Sequence, residues 1–454
     1  MKRIGWRWLA ASSILLAALA HGETRPQYGG TLRVTMRAAP TTLDPEDRSL
    51  ESFGGRSVTS LLFDTLVVMD DSGRPKPALA EAWQASRGNQ RWEFRLRQDV
   101  KFGDGTRLTA DIAAASLRAA NAGWNVSSSG TSLVIEQEVV DPDLPAELAL
   151  PRNAIAKRDT SNVVGTGPFH VVDWQAGKKL TVAANEEYWR GRPFLDEIEI
   201  EMGRGFRDQM TAFDLRKADL VEVAPEQTHR FLQEGRGLTS SPRIELLALV
   251  FSREPSSAQE KALRQALALS VERGSIRSVL LQGAGEPTGS LLPTWISGYG
   301  FVFPMQTDLQ RAKQLRAEVR TVSNWTIGYD ANDPLSRLVA ERVALNAKDA
   351  GLSLQPSSGS ATDLRVARIA IASGDPWVAM NDVLGQIGMP ALKSKSGLVE
   401  ELYTSEQAAL ASGRVIPLFH LPQSYLSAPN LKDWKMQVDG SLDLTGAWLE
   451  SSKP

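Results

Sequence analysis

The chain has 454 residues, of which 42% are hydrophobic and 23% are charged; its formal net charge is −2 and it has no cysteine. This length is too great for one compact core, so the sequence predicts two or three domains. The near-neutral charge argues against a general nucleic-acid binder. The lack of cysteine excludes disulfides, thiolate metal sites, a cysteine nucleophile and a lipoprotein anchor.

Residues 1–22 have the pattern of a secretory signal peptide. A basic start precedes a short apolar run at 9–20, and small residues at 18–22 suit signal peptidase. A run of about 12 residues is shorter than the roughly 20 that a transmembrane helix needs. We therefore expect an exported protein, periplasmic in a Gram-negative host, that carries no lipid anchor.

The first predicted elements of the mature chain are a strand and a buried helix. The strand covers 31–34, and the prolines Pro40 and Pro45 close the loop after it, which contains Thr41. The apolar run at 57–69 predicts a buried helix that leads into a second strand.

Residues 96–117 predict a strand, a tight turn, a short strand and a helix. Glycines on both sides of Asp104 tolerate the positive φ that a reversing chain needs. Thr109 is placed to cap the helix, and Asp111 favours its first turn through the helix dipole. The alanine-rich body that follows favours helix.

The later part of the chain predicts alternating strands and helices. The apolar run at 244–251 indicates a strand buried on both faces. Ser257 and Glu260 form a capping-box pattern, and Asp333 with Pro334 indicates another helix start. The helix after Pro334 is expected to direct four residues to the core: Leu335, Leu338, Val339 and Val343. Strands are predicted at 324–330, 352–355 and 365–372, with a short irregular region after residue 377.

Several of these segments resemble the family 5 extracellular solute-binding proteins, the dipeptide and oligopeptide binders of ABC importers. The segment 96–117 is similar to that family's signature, and the blocks at 29–45, 165–189 and 415–420 follow in the family's order. The resemblance implies an α/β fold, the type II periplasmic binding protein, with two hinged lobes and a smaller inserted domain. The expected divisions are a signal peptide at 1–22, a main domain at 27–43, 165–251 and 415–454, an inserted domain at 44–164, and an α/β lobe at 252–414.

Asp375 is the first candidate for ligand binding. It follows a predicted strand, between Gly374 and Pro376, where α/β domains commonly place ligands. The resemblance implies that an aspartate in this segment accepts the α-ammonium group of a peptide, because a desolvated ammonium needs a counter-charge. The alternative is a turn aspartate that binds its own backbone.

Gly374, Trp377 and Thr41 complete the expected ligand site. Trp377 would either cover the ligand or belong to the core, and by resemblance the loop with Thr41 faces the cleft. Family members often have a tryptophan three residues before the aspartate, where this chain has Ala372.

The sequence predicts no metal site, no cofactor and no catalytic centre. The four histidines lack a ligand spacing, and His420 is interpreted as a structural residue. The glycine pair Gly165 and Gly167 lacks the rest of a phosphate-binding motif and indicates a tight crossover instead. No nucleophile motif of a hydrolase is present.

By resemblance, the protein should capture a peptide or a similar small solute and deliver it to the membrane permease of an ABC importer. We expect a monomer that binds no nucleic acid and catalyses no reaction. The stretches 121–164 and 375–397 are shorter than in peptide binders of the family. A nickel chelate, a sugar or an opine therefore remains an alternative solute, as does a degenerate relative without a transport role. An exported hydrolase and a transcriptional regulator are less favoured classes.

Overall fold

The computed structural model describes residues 25–450, except 71, 87, 139, 160–161, 301–302, 321–323 and 393–397. The signal peptide predicted at 1–22 lies outside these residues. Across the described part of the chain, no helix combines the length and the apolar character needed to cross a bilayer.

The secondary structure mixes strands and helices throughout the chain. The strands are β1 (Thr31–Thr35), β2 (Val67–Met69), β3 (Pro75–Pro77), β4 (Ala80–Ala85), β5 (Arg91–Leu96), β6 (Asn125–Ser129), β7 (Ser132–Glu136), β8 (Lys157–Arg158), β9 (Val163–Val164), β10 (Phe169–Gln175), β11 (Lys179–Ala184), β12 (Glu197–Glu201), β13 (Leu220–Glu222), β14 (Leu238–Phe251), β15 (Glu286–Pro287), β16 (Asn324–Gly328), β17 (Ser353–Ser357), β18 (Leu364–Ala370), β19 (Val415–Ser427), β20 (Leu431–Lys432), β21 (Lys435–Met436), β22 (Leu442–Asp443) and β23 (Trp448–Leu449). The helices are α1 (Phe53–Leu62), α2 (Ala110–Ala120), α3 (Leu144–Glu147), α4 (Phe206–Asp214), α5 (Thr228–Gln233), α6 (Ala258–Ser270), α7 (Arg273–Ser275), α8 (Thr294–Ser297), α9 (Leu309–Ala317), α10 (Pro334–Asp349), α11 (Pro376–Gln386) and α12 (Val399–Ala411).

One long sheet organises the fold. Its strands lie in the order β10-β11-β12-β1-β13-β19-β14-β18-β16-β17, and β15 pairs with β19 beside this path. β1 runs parallel to β12 and β13, and β16 runs parallel to β17 and β18. We call the strands from β10 to β13, with β1, the first half of the sheet, and the strands β16 to β18 the second half.

The antiparallel strands β14 and β19 connect the two halves. β13 pairs with residues 425–427 of β19, whereas β18 pairs with residues 245–251 of β14. The β14–β19 register shifts around Arg243, between these two regions. Because β13 and β18 run in opposite directions and lie at opposite ends of this pair, their carboxyl ends face each other.

The first half of the sheet and a smaller unit have separate hydrophobic cores. The smaller unit consists of the sheet β4-β5-β7-β6 and α2, which pack together around Phe94 and Leu117. Thr109 accepts a hydrogen bond from the Ile112 amide at 3.3 Å, which confirms the predicted cap of α2. Residues 101 and 107 form the short bridge expected after the turn.

The glycine pair at the crossover permits close backbone packing. A Cβ atom at Gly165 would lie 2.0 Å from the carbonyl oxygen of Leu62, and one at Gly167 would lie 2.4 Å from the Leu62 carbonyl carbon. Side chains at either position would therefore push α1 away, which explains the glycines without a phosphate site.

The strand predicted at 244–251 is confirmed, and it is the buried second part of β14. Since β14 and β19 each continue through both halves, residues 245–251 pair with the second half. The domain divisions at 251 and 414 stay predictions; they coincide with the end of β14 and the start of β19.

Three local predictions were wrong in detail. Leu338 is 45% exposed, because the buried face of α10 follows Leu335, Val339 and Val343 and leaves Leu338 at its flank. The region after residue 377 is not irregular, since α11 continues to Gln386. The cap predicted at Ser257 is confirmed, since its hydroxyl accepts from the Glu260 amide at 3.1 Å. The Glu260 carboxylate, however, accepts from the amide and hydroxyl of Ser256.

Candidate functional site

A cavity of about 540 Å³ lies where the carboxyl ends of the two sets of parallel strands face each other. We call it the charged cleft. The first half of the sheet contributes Arg37 and Glu222, and the second half contributes Asp330, Asp333 and residues 365–370. Crevices at the carboxyl ends of strands are the usual ligand sites of α/β proteins.

The floor of the charged cleft is a buried ion network around Arg368. Its guanidinium donates to both carboxylate oxygens of Glu245 at 2.8 and 2.7 Å, and to Asp333 at 3.2 Å. Burial alone lowers the pKa of Arg368, but the two carboxylates outweigh burial and raise it above its ordinary value. One guanidinium is shared by two carboxylates, so the network holds its charges in place within the protein and has a formal charge of −1.

A second internal pair lies on the side of the first half. Glu222 accepts hydrogen bonds from the Arg37 amide at 2.7 Å and from the Gln209 side chain at 2.9 Å. The Arg37 guanidinium lies 3.5 Å from the Glu222 carboxylate and 4.4 Å from the centre of the Phe206 ring. Arg37 is thereby held at the end of β1 beside the cavity.

Three exposed charged residues line the charged cleft without an ion pair to any described residue. Arg48 lies in the 3-10 turn after β1, Arg365 lies at the start of β18, and Asp330 follows β16. The Asp330 carboxylate accepts a hydrogen bond from the Asn332 amide at 2.9 Å. The cleft therefore offers charges of both signs to a ligand.

The backbone of β18 has an open edge in the charged cleft. β16 pairs with β18 only at Leu364 and Arg365, whereas β14 pairs with the whole strand. Residues 366–370 line the cavity and, among the described residues, have no partner strand on the side away from β14. Such an edge can pair with an extended peptide backbone.

A second cavity of about 220 Å³, the inner cavity, lies beside the loop at 372–374. The end of α1, the tail segment 437–445 and parts of the smaller unit form its other walls. In its lining, Asp64 accepts hydrogen bonds from the side chains of Thr166, Tyr188 and Trp189 at 2.9–3.0 Å. Burial raises the pKa of the Asp64 carboxyl.

The structure separates the four residues of the predicted ligand site. Gly374 lines the inner cavity. Thr41 is exposed, with its methyl group near Gly177 in the turn of the β10–β11 hairpin. Trp377 is 5% exposed and packs in a core cluster, while its outer part lines a smaller cavity of about 170 Å³.

Asp375 is the N-cap of α11. Its carboxylate accepts from the amides of Trp377 and Val378, both at 3.0 Å. Burial raises the pKa of Asp375, and these two hydrogen bonds act against the rise. The residue is not part of the lining of either the charged cleft or the inner cavity. Its role as a ligand contact stays a prediction.

Sequence reasoning missed the residues of the charged cleft. Asp330 is the last residue of a predicted strand and Arg37 follows another by three residues, so the rule that ligands bind at strand ends would have indicated both. Arg368 carries no such signal, because a charged residue within a strand usually indicates an exposed face. Its partner Glu245 interrupts a buried apolar run, which is itself an indication of a buried pair.

His420 is a buried structural residue, as predicted. Its Nε2 atom lies 3.2 Å from the carbonyl oxygen of Leu291, and burial lowers its pKa to about 4. No group of three or more potential metal ligands occurs within the described residues.

Comparisons with known proteins agree on one family. The family of bacterial extracellular solute-binding proteins, family 5 (middle), matches residues 74–387. The nickel-binding protein NikA of Staphylococcus aureus is 23% identical over 316 residues, which cover 65% of this chain and 64% of that protein. The chain thus spans slightly less than two thirds of that relative.

Two solved structures show the same fold. AppA of Bacillus subtilis, solved with a nonapeptide, has a TM-score of 0.78 at 17% identity, over 94% of this chain and all of that one. AgaA of A. tumefaciens R10, solved with agropinic acid, has a TM-score of 0.80 at 19% identity, over 93% and 99% of the two chains. The fold is that of the type II periplasmic binding proteins, as predicted.

Proposed function

Since this chain belongs to family 5 of the bacterial extracellular solute-binding proteins, we propose that it captures a small charged solute in the charged cleft. A peptide is the first candidate for that solute. Delivery to the membrane permease of an ABC importer follows from the family, whose members are binding proteins of such importers.

The observation that carries this proposal is the arrangement of the sheet. The carboxyl ends of β13 and β18 face each other across a cavity of about 540 Å³, and the halves that carry them are joined by β14 and β19. A bend of these two strands near Arg243, where their register shifts, would open and close the cleft. A ligand that contacts both halves would favour the closed form.

The charges of the cleft favour a zwitterionic solute. Arg48 and Arg365 are available to a carboxylate, and Asp330 is available to an ammonium group. The open edge of β18 adds backbone donors and acceptors that an extended peptide can use. The relatives named for nickel and for agropinic acid support the alternative of a charged solute that is not a peptide.

Replacing Arg365 by alanine is expected to weaken solute binding by about tenfold or more, because a hydrogen bond to a charged group contributes roughly 1.5–3 kcal/mol. The ligand is first identified by mass spectrometry of compounds that co-purify with the protein, and its affinity is then measured by calorimetry. Arg48→Ala should act in the same direction. The control is Arg107→Ala, an exposed arginine of the smaller unit; equal affinities of the Arg365 and Arg107 variants would contradict the site.

The predicted contact at Asp375 needs a variant that keeps the helix cap. Asparagine can still accept from the Trp377 and Val378 amides, so Asp375→Asn should leave stability nearly unchanged, whereas Asp375→Ala should lose about 1 kcal/mol. If Asp375 binds a ligand ammonium, Asp375→Asn weakens an amine-bearing ligand by tenfold or more. Unchanged affinity in calorimetry would remove Asp375 from the site.

The remaining features of the proposal follow the family. We propose that the protein acts without turnover, as a monomer that binds no nucleic acid. Family 5 binding proteins are extracellular or periplasmic, which supports export with cleavage of residues 1–22. A chromatographic assay that finds a product formed from the bound solute would exclude a pure binding role.

A further inference from the structure

Charged side chains of the protein itself separate the charged cleft from the inner cavity. We call this cluster the partition; it consists of Glu51, Arg56, Glu147, Arg152 and Asp382. A residual space of about 10 Å³ remains beside it. That space shares Glu51 with the lining of the charged cleft, and it shares Thr59, Pro151 and Ala372 with the lining of the inner cavity.

Arg152 joins three separate parts of the chain. It donates to Asp382 of α11 at 2.8 Å and to Glu147 of α3 at 2.9 Å, and it lies 3.8 Å from Glu51, in the 3-10 turn after β1. Burial lowers the pKa of Arg152, but the carboxylates raise it further than burial lowers it. Arg152 therefore keeps its positive charge.

Arg56 closes the other side of the partition. It is 1% exposed and donates to the carbonyl oxygens of Ala370, Ile371 and Asp439 at 2.9, 3.0 and 3.2 Å. Gln386 donates to the same Ala370 oxygen at 2.9 Å. The carbonyl oxygens at the end of β18 thus already accept hydrogen bonds from side chains of the protein. The part of the β18 edge that a ligand can pair with therefore ends at Ala370.

We infer that the partition restricts the solute to one that fits in the charged cleft alone, the size of a di- or tripeptide, and excludes longer peptides. This inference rests on the proposed function. A cavity of about 540 Å³ equals a cube with an edge of roughly 8 Å, which an extended chain of 3.3–3.6 Å per residue fills with two or three residues.

A longer peptide must cross the partition to reach the inner cavity. Crossing would separate Arg152 from Asp382, which is 3% exposed, and would displace Arg56 from three carbonyl oxygens. Each change leaves a buried charged or polar group without its partner, which is strongly unfavourable. The partition therefore sets the length of the solute.

The test is a ladder of alanine peptides, titrated by calorimetry into the mature protein. Dialanine or trialanine should bind at least 100-fold more tightly than pentaalanine. In the double variant Glu51→Ala/Arg152→Ala, this ratio should fall below tenfold. The variant removes one positive and one negative charge, and Asp382 keeps Arg56 at 3.6 Å and Gln386 at 3.0 Å as partners. The matched control is Arg91→Ala/Glu136→Ala, an exposed pair of the same residue types in the smaller unit, which should keep the ratio.

The outcomes separate the inference from the proposed function. Wild-type protein that binds pentaalanine as tightly as dialanine overturns the inference and leaves solute capture standing. A double variant that folds, as judged by circular dichroism, and keeps the wild-type ratio also overturns it. If no peptide of the ladder binds the wild-type protein, peptide capture fails and the inference fails with it. The wild-type ladder decides the length limit even where the double variant does not fold.

Discussion

Replacing Arg368 by methionine is expected to lower the free energy of unfolding by roughly 3–5 kcal/mol, because it leaves buried carboxylates without their counter-charge. Glu245 and Asp333 are 3% and 2% exposed, and both bind the Arg368 guanidinium. Neither can return to water without opening the floor of the charged cleft. Urea unfolding followed by circular dichroism measures the loss.

Two variants control this result. Arg365→Met changes an exposed arginine of the same strand and should alter the free energy of unfolding by less than about 0.5 kcal/mol. Arg368→Met/Glu245→Gln removes one of the stranded carboxylates and should recover part of the loss. A loss below 1 kcal/mol for Arg368→Met would show that the network does not support the fold of this region.

The second large effect is a dependence of stability on pH that comes from Glu406. This carboxyl is fully buried in α12 and accepts a hydrogen bond from the Leu291 amide. Burial raises its pKa to about 8, although the backbone amides of Leu291 and Leu292 act in the opposite direction. In the unfolded chain a glutamate has a pKa near 4.3.

Because the folded pKa of Glu406 is the higher one, the folded state binds more protons between about pH 4.3 and 8. The stabilising contribution of the protonated Glu406 is complete below that window, and it is lost as the pH rises through it. From pH 6 to pH 8 the wild-type protein should lose roughly 2–3 kcal/mol relative to Glu406→Gln, which cannot ionise.

The measurement compares urea unfolding of the wild-type protein and Glu406→Gln at pH 6, 7 and 8. Other groups, such as Asp143, whose pKa burial raises to about 7, cancel in this difference. Glu400→Gln, an exposed change in the same helix, should follow the wild-type curve. Parallel curves for the wild-type protein and Glu406→Gln would contradict a protonated Glu406.

His420 acts in the opposite direction and in another window. It lies on the carbonyl side of Leu291, whose amide Glu406 binds. Its pKa falls from about 6.5 in the unfolded chain to about 4 in the folded protein. Its stabilising contribution is therefore lost as the pH falls from about 6.5 to 4. Between pH 6.5 and 8, only Glu406 of these two groups changes the stability.

The structural role of Asp375, a helix cap, could have been predicted from the sequence. The dipeptide Asp333-Pro334 predicts a helix start. In the structure, the Asp333 carboxylate accepts a hydrogen bond from the Leu335 amide at 3.2 Å. The same dipeptide at Asp375-Pro376 has the same function in the structure, at the start of α11. The local sequence therefore indicates a helix cap at Asp375, whereas the family resemblance implies a ligand contact there.

The elements whose causes are local can be predicted from the sequence alone. Thr109 caps α2, Asp333 caps α10, and the strand at 244–251 is buried on both faces. The two caps depend on side chains within a few residues of the amides that they bind, and the strand is indicated by its own apolar run. The family blocks identified the fold for the same reason, since each block is one short run of sequence.

The charged cleft and the partition, in contrast, depend on contacts between distant parts of the chain. Arg56 binds carbonyl oxygens more than 300 positions away in the chain, and Glu245 meets Arg368 because β14 and β18 are neighbours in the sheet. No local pattern specifies which strands lie side by side or which charges then share a buried space. That choice depends on the packing of the whole sheet, because a buried charge is stable only where the fold brings its partner to it.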